Sequence, residues 1–309
     1  MPTELSLLRN VNHCVNPKPG SEWLPTCRLS DHKFGQQINN KLNAEIKSER
    51  MYSAAIDTNA VIMFCVAIRD QLDKPRFVTD CHLRNRAVYK KQTPLRNIDQ
   101  LIELVAAYSG WSKIDLANGY FNIRVEESSE KWYTVLTTNG KMRKRVTSQA
   151  DCNAPSTMME AMLDIVEDVL YQWLVIYIDD IIIYSGRYEE HVRDLKKVLQ
   201  GLEEQRFYLK DSKCQFFTGK LEIFGYILTS GGLHFDLKKR KTILEFPTPT
   251  YKKDLHRFLG VVNYLQQCLP GLASDTSALS ELHGEYTKWI CTNTHDQAFK
   301  RPKELVNSS

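Results

Sequence analysis

The sequence predicts an α+β fold, a sheet with helices packed on one side, and three observations carry that reading. Short β-type apolar runs are interspersed with longer helical stretches, without the strict alternation of strand–helix–strand units. Two apolar runs, 173–178 and 181–184, flank Asp179-Asp180 closely enough to form a hairpin with both acids at its tip. Finally, 309 residues with 42% hydrophobic and 25% charged side chains are too apolar to stay disordered and enough to build a real core.

From the N-terminus, the stretch before Phe34 holds Pro17, Pro19, Gly20 and Pro25 with little periodicity and reads as an extended arm. Residues 34–51 have helical spacing, weakened at the start by Gly35. Two β-type runs follow, 61–68 and 76–80, joined by a polar turn over 69–75. Residues 97–108 are helical, with Ile98, Leu101, Ile102, Leu104 and Val105 on the apolar stripe. Strands are expected at 111–116, 121–125, 133–138 and 142–147. A long helix is expected over 153–171, with Pro155 in its first turn, where a missing N–H costs nothing. After the acidic hairpin come a charged amphipathic helix, 188–207, and a strand, 221–228, closed by a turn at Ser230, Gly231 and Gly232. From 236 onward the pattern is helical, punctuated by Pro247, Pro249 and Pro270.

Composition excludes several classes. The longest uninterrupted apolar run, 60–68, has nine residues and is too short to span a bilayer. Glu4, Arg9 and Asn10 interrupt the N-terminus, so it makes no signal peptide. Eight scattered cysteines form no CxxC pair, which points to reduced thiols in an intracellular compartment, cytoplasmic or nuclear. A net charge of +4 is too weak to argue for nucleic acid by itself, so that case rests on local clusters: Lys141, Arg143, Lys144 and Arg145, then Lys238, Lys239, Arg240 and Lys241, with Lys252 and Lys253 beyond.

Adjacent carboxylates between hydrophobic strands repel each other and lose hydration unless something positive stands beside them. A hard divalent cation such as Mg²⁺ is a natural partner for Asp179 and Asp180; the bland alternative is an Asp-containing turn in solvent. Asp115, ending the run Trp-Ser-Lys-Ile, adds a third carboxylate. On a neighbouring strand it would complete a cluster able to hold two metals for an in-line phosphoryl displacement.

Residues 76 to about 283 resemble the reverse transcriptase of gypsy-type (Metaviridae) LTR retrotransposons and, more distantly, retroviral reverse transcriptases. The register runs through Arg76, Asp80, Asn85, Thr93-Pro94-Leu95, Ile98 and Asp99, then Ser112-Lys113-Ile114-Asp115-Leu116 with Gly119-Tyr120. It continues through Asn153-Ala154-Pro155, the Tyr-x-Asp-Asp box at Tyr177, Ile178, Asp179 and Asp180, and Leu209-Lys210 with Ser212-Lys213-Cys214-Gln215-Phe216. Phe224-Gly225-Tyr226 and Phe258-Leu259-Gly260 with Asn263-Tyr264 complete it.

The resemblance implies a right-hand polymerase: an N-terminal arm and lead helix in 1–50, fingers and palm with an antiparallel palm sheet in 51–232, and a helical thumb in 233–285. Residues 286–309 would be a truncated entry to the connection and ribonuclease H region. It implies RNA-directed DNA polymerase activity with two Mg²⁺ ions, Mn²⁺ as a substitute, and dNTPs, an RNA template, a DNA primer and the RNA–DNA hybrid as partners. Asp115, Asp179 and Asp180 would bind metal and Lys213 would protonate or neutralise the leaving pyrophosphate. Arg76, Tyr120 and Gln149 would hold the nucleotide, Tyr120 as the wall that excludes a 2′-hydroxyl. Asn153, Pro155, Tyr177, Phe224, Gly225, Tyr226 and the Lys238–Lys239–Arg240–Lys241 run would meet template and primer.

The chain departs from the family at several points. Ala150, within Thr147-Ser148-Gln149-Ala150-Asp151, replaces a glycine, His82 an arginine and Arg96 a proline, and Pro302 falls where a helix is expected. The chain also carries no ribonuclease H carboxylates, protease triplet or integrase zinc motif. A piece of a polyprotein is therefore expected. The alternative is a decayed, non-catalytic copy that keeps fold and nucleic-acid binding; a host-serving polymerase relative is the third option. An Ala150→Gly change is expected to raise activity several-fold.

Overall fold

A computed structural model describes residues 4–23, 34–54, 57–68, 71–93, 96–235, 237–263, 272–282, 287 and 289–308. In chain order the elements are α1 (Gly35–Lys47), β1 (Met51–Ser53), β2 (Val61–Ile68), β3 (Gln71–Asp80), α2 (His82–Ala87), α3 (Ile98–Ala106), β4 (Gly110–Asp115), β5 (Thr134–Thr137), β6 (Gly140–Lys144), α4 (Ala154–Val166), β7 (Leu174–Tyr177), β8 (Asp180–Ser185), α5 (Tyr188–Glu204), β9 (Gln215–Thr218), β10 (Lys220–Ile223), β11 (Tyr226–Thr229), β12 (Gly232–Phe235), α6 (Leu237–Leu244), α7 (Lys252–Asn263), α8 (Leu272–Glu281) and α9 (Asn293–Ser308). The chain is α+β, and its contacts divide it into two compact units. One comprises Met1–Leu95 with Gly110–Phe217, the other Arg96–Ser109 with Thr218–Ser309.

The first unit holds two sheets. A five-stranded sheet runs β1-β6-β5-β2-β3, with β2 and β5 parallel and the other neighbours antiparallel. A four-stranded sheet runs β7-β8-β4-β9, with β8 antiparallel to both of its neighbours. The second sheet carries the acids, and its rigidity follows from burial. Ile114, Leu174, Ile176, Ile181 and Ile183 pack with Met158, Met159 and Met162 of α4 and with Val198 and Leu202 of α5. Ile182 and Tyr184 are also excluded from water, so both faces of β8 are covered. That explains why β8 reads as a continuous apolar run rather than an alternating one.

The second unit contains the β10-β11-β12 meander and a helical core. Leu255, Phe258 and Val262 of α7 pack there with Leu272, Leu279, Phe299 and Val306. No helix among the described residues is long and apolar enough to cross a membrane.

Several local expectations need correction. Residues 221–228 are not one strand but β10 and β11, reversed by a tight turn in which Phe224 and Gly225 both have positive φ (49° and 79°). Residues 121–125 form no strand: Gly119–Asn122 is a 3-10 turn, and Arg124 and Val125 make only isolated bridges. The expected polar turn before residue 76 is already β3 from Gln71. Pro75 is tolerated because β3 is the edge strand and needs no inner hydrogen bond there. The short elements α2, β1, β9 and β12 escape the pattern analysis altogether. α9 continues through Pro302, because Ala298, Phe299 and Val306 on either side are held in the helical core against the lost hydrogen bond. Within the resemblance, Pro94, Leu95 and Tyr264 lie outside the described residues.

Candidate active site

Asp115 and Asp180 face each other directly across the β4–β8 ladder, and Tyr177 pairs with Asp180 on its other side. Asp179 sits in the two-residue turn between β7 and β8. Its neighbour in that turn, Ile178, has φ 61°, a conformation that a β-branched side chain resists. The cost, about 1–2 kcal/mol, is carried by the surrounding core, against which Ile178 also packs. Pairing, not the turn alone, therefore brings three carboxylates to one end of the four-stranded sheet.

Each cross-strand acid faces a lysine. Lys213 Nζ lies 3.0 Å from Asp115 Oδ2 and Lys113 Nζ lies 2.9 Å from Asp180 Oδ1. Lys213 is placed by backbone: the Lys210 N–H donates to the Asp115 carbonyl and the Ala117 N–H to the Tyr208 carbonyl, running residues 208–214 along the end of β4. The Asp115 hydrogen bond, reinforced by its charge, holds the Lys213 ammonium above its ordinary pKa. Lys113 was not singled out from the sequence, although the two-residue strand period puts it on the same face as Asp115. Among the described residues, Asp179 makes no such close ion pair, although the Lys213 charge is felt there. Burial first, then the charges of Asp180 and Asp115, raise its carboxyl pKa.

Three carboxylates offer only hard oxygen donors and an excess of negative charge, which fits Mg²⁺ in kind. Among the described residues, however, no three acidic, histidine or cysteine side chains converge tightly enough to hold an ion. Asp115 and Asp180 are turned to the two ammonium groups instead, which neutralise them in this form.

Tyr120 lies beside this cluster. It is buried in the core under α4, and burial together with the Asp179 charge raises its phenol to about 12. Its backbone carbonyl accepts from the Thr147 hydroxyl. Asn118, at φ 53°, turns the chain after β4 and aims the 3-10 turn inward. Arg76 and Gln149 are brought together: Arg76 Nη2 donates to Gln149 Oε1 at 3.2 Å. The loop that carries Gln149 is gripped by α2, where Asn85 donates to the Ala150 carbonyl and accepts from the Cys152 N–H, and Arg84 pairs with Asp151. Ala150 is not among the residues of positive φ, so its methyl group is not strained by the backbone.

Other expected contacts are differently employed. Asn153 is buried and its amide is spent internally, accepting from the Lys91 N–H and donating to the Tyr89 carbonyl, both at 2.9 Å. Pro155 opens α4. The Lys141–Arg145 cluster is largely consumed within the fold. Arg143 forks onto Asp57, Lys141 donates to the Asp57 carbonyl, Lys144 donates to Ser148 and Arg145 approaches Glu130. Sequence alone marks the positive charges but not Asp57, more than eighty residues earlier, that neutralises them.

Phe224, Gly225, Tyr226 and the Lys238–Lys241 run belong to the second unit. There, Tyr226 is buried, Arg240 donates to the Asn307 carbonyl, Lys241 lies near Glu245, and the side chains of Lys238 and Lys239 lie outside the described residues.

Comparison with known proteins agrees with this arrangement of elements. The chain is 27% identical over 273 residues to the Transposon Tf2-3 and Tf2-7 polyproteins of Schizosaccharomyces pombe (strain 972 / ATCC 24843), an alignment covering 88% of this chain and 20% of each polyprotein. It thus spans about a fifth of the length of the curated relatives it matches. Its fold is similar to the foamy viral protease-reverse transcriptase dRH solved with ds DNA, at TM-score 0.79 and 18% identity over 96% of this chain and 54% of that one. The foamy viral protease-reverse transcriptase solved in complex with RNA/DNA hybrid gives a TM-score of 0.73 at 18% identity, covering 98% of this chain and 42% of that one. The fold is thus that of a polymerase of the reverse transcriptase type. Residues 68–262, more than half of the chain, match the family model described as reverse transcriptase (RNA-dependent DNA polymerase), and the chain belongs to that family.

Proposed function

We propose that this chain is the polymerase part of an LTR-retrotransposon polyprotein, adding dNMP units to a DNA primer 3′-hydroxyl on an RNA template. The observation that carries the reading is the directly opposed Asp115–Asp180 pair with Asp179 in the adjoining turn. Asp115, Asp179 and Asp180 would hold two Mg²⁺ ions, or Mn²⁺ in their place. When bound, such ions lower the pKa of the primer hydroxyl and neutralise charge on the triphosphate. The chain's own residues do the rest. Lys213, already beside Asp115, exchanges that carboxylate for the departing pyrophosphate, to which its ammonium can donate a proton. Arg76 presents a guanidinium fork to the triphosphate, with Gln149 fixing its orientation through the 3.2 Å hydrogen bond. Tyr120 walls off the 2′ side of the sugar.

Asn153 and Pro155 act indirectly, by fixing the start of α4 and the loop before it. Tyr177 braces Asp180 across the hairpin. Phe224, Gly225 and Tyr226 are read as a primer-contacting turn, and the exposed charges of the second unit, Lys241 among them, as phosphate contacts giving salt-sensitive hybrid binding. Primer extension on poly(rA)/oligo(dT) by the purified chain tests the proposal. Mg²⁺-dependent dTTP incorporation that disappears in Asp179→Asn supports it; parental extension by that variant, or none by the unaltered chain, counts against it.

A further inference from the structure

The first unit contains a cavity of about 500 Å³, within the range of small-molecule sites. Leu42 of α1, Met51, Met63 and Phe121 give it apolar walls, while Arg76 and Gln149 stand at its edge. Two charged side chains line it although both are more than nine-tenths buried, Lys144 at 7% and Glu45 at 6% exposed. Charges are not left in such a place without compensation, and the compensation here is incomplete. The Lys144 ammonium donates to Ser148 Oγ at 2.7 Å and stands 5.5 Å over the Phe121 ring, leaving donor capacity unspent. Burial, the largest influence on it, lowers its pKa to about 8. Glu45 Oε1 pairs with Lys41 at 2.5 Å, but among the described residues Oε2 accepts no hydrogen bond and lies 3.9 Å from the Arg50 guanidinium.

We infer that this cavity is a binding site for a flat aromatic acid bearing an N–H or O–H donor. The acid's anion would meet the Lys144 ammonium, its rings the Leu42, Met51, Met63 and Phe121 walls, and its donor the unsatisfied Glu45 Oε2. The charge balance selects an anion: three cationic side chains, Lys41, Lys144 and Arg76, line the cavity against the single carboxylate of Glu45. The chemistry excludes a purely apolar ligand, which would leave both buried charges as they are. The site does not depend on the polymerase reading. Asp115, Asp179 and Asp180 do not line the cavity, and binding can be read without any turnover.

Anilinonaphthalenesulfonate, an aromatic sulfonate with one N–H, is the probe. Titration into the full chain should give fluorescence saturating at one probe per chain. Lys144→Met should weaken binding at least about tenfold, and Met63→Trp, which fills the cavity, should abolish it. Lys197→Met, on the exposed face of α5, should leave it unchanged. Should a cavity variant fail to fold, the unaltered chain still decides the matter. Saturating probe should slow acetylation of Lys144 by acetic anhydride, read by peptide mass mapping, while leaving that of Lys197 unchanged. Several weak sites, equal affinity in Lys144→Met, or undiminished acetylation of Lys144 would overturn the assignment.

Discussion

Arg84 of α2 and Asp151 meet in a 2.9 Å ion pair where they are only 1% and 4% exposed, and the pair clamps the loop that carries Gln149. The Arg84 guanidinium stacks over the Tyr133 ring at 4.0 Å, His13 Nε2 approaches Asp151 at 3.5 Å, and the Asn153 N–H donates to Asp151 at 2.8 Å. Asp151 ends the run Thr147-Ser148-Gln149-Ala150-Asp151, and it is paired rather than stranded.

Breaking that pair from one side should be costly. Asp151→Asn leaves the Arg84 charge buried and uncompensated, and urea unfolding should show a loss of about 3–5 kcal/mol. Arg84→Met combined with Asp151→Leu should recover most of it, because two apolar groups leave no charge behind. Burial, the largest influence, would raise the Asp151 carboxyl, but the nearby His13 ring, the Arg84 charge and the Asn153 N–H outweigh it and hold the group well below the ordinary carboxylate range. Its contribution to stability is therefore complete above about pH 4 and is lost as pH falls toward the depressed folded value. Asp151→Asn should flatten that part of the acid-unfolding curve. Unchanged stability in the single variant would show that the pair is not formed.

Asp179 has the opposite sign. Burial and two neighbouring carboxylates raise its pKa, so its ionised form costs stability at neutral pH, and the cost is relieved as pH falls through the raised folded value. Asp179→Asn should abolish extension while raising the melting temperature of the metal-free chain near pH 7. That advantage should shrink on acidification. A lower melting temperature at neutral pH would contradict the repulsion inferred at the hairpin.

Lys144 offers a test at high pH. Its lowered pKa means that the folded chain binds fewer protons than the unfolded one between about pH 8 and the ordinary lysine value. Stability should accordingly rise with pH across that window. Lys144→Met removes the buried charge and should stabilise the chain at pH 7 by up to about 3 kcal/mol, with the difference closing above pH 10. Parallel pH profiles for the two proteins would refute this.

Tyr120 is tested by nucleotide choice. Tyr120→Val should raise rNTP use relative to dNTP use at least about tenfold, or some 1.4 kcal/mol of discrimination. It should also cost stability, since the ring is part of the core under α4. An unaltered rNTP-to-dNTP ratio with lowered stability would leave Tyr120 as a core residue only.

The structure revises one expectation about activity. Ala150 does not occupy the left-handed region, so restoring glycine relieves no backbone strain. Ala150→Gly should leave primer extension within about twofold of the parent and reduce stability slightly through the freer unfolded chain. A several-fold gain would mean that the methyl group itself blocks the template.

The sequence by itself determined the α+β class, the hydrophobic runs that became β2, β4, β7 and β8, the helices α3, α4 and α5, and the identity of the acidic cluster. These are encoded locally, in side-chain periodicity over a handful of residues and in the placement of two acids between apolar runs. What only the tertiary structure decided depends on partners distant in sequence. The β4–β8 register sets Asp115 against Asp180, and Asp57 consumes the Lys141–Arg143 charge. Arg84 finds Asp151, and Lys113 and Lys213 take up the two cross-strand acids. Phe224 shows the limit most directly. Its apolar neighbours read as one unbroken strand, because a positive φ at a bulky residue is paid for by β10–β11 pairing and leaves no mark in the residue itself.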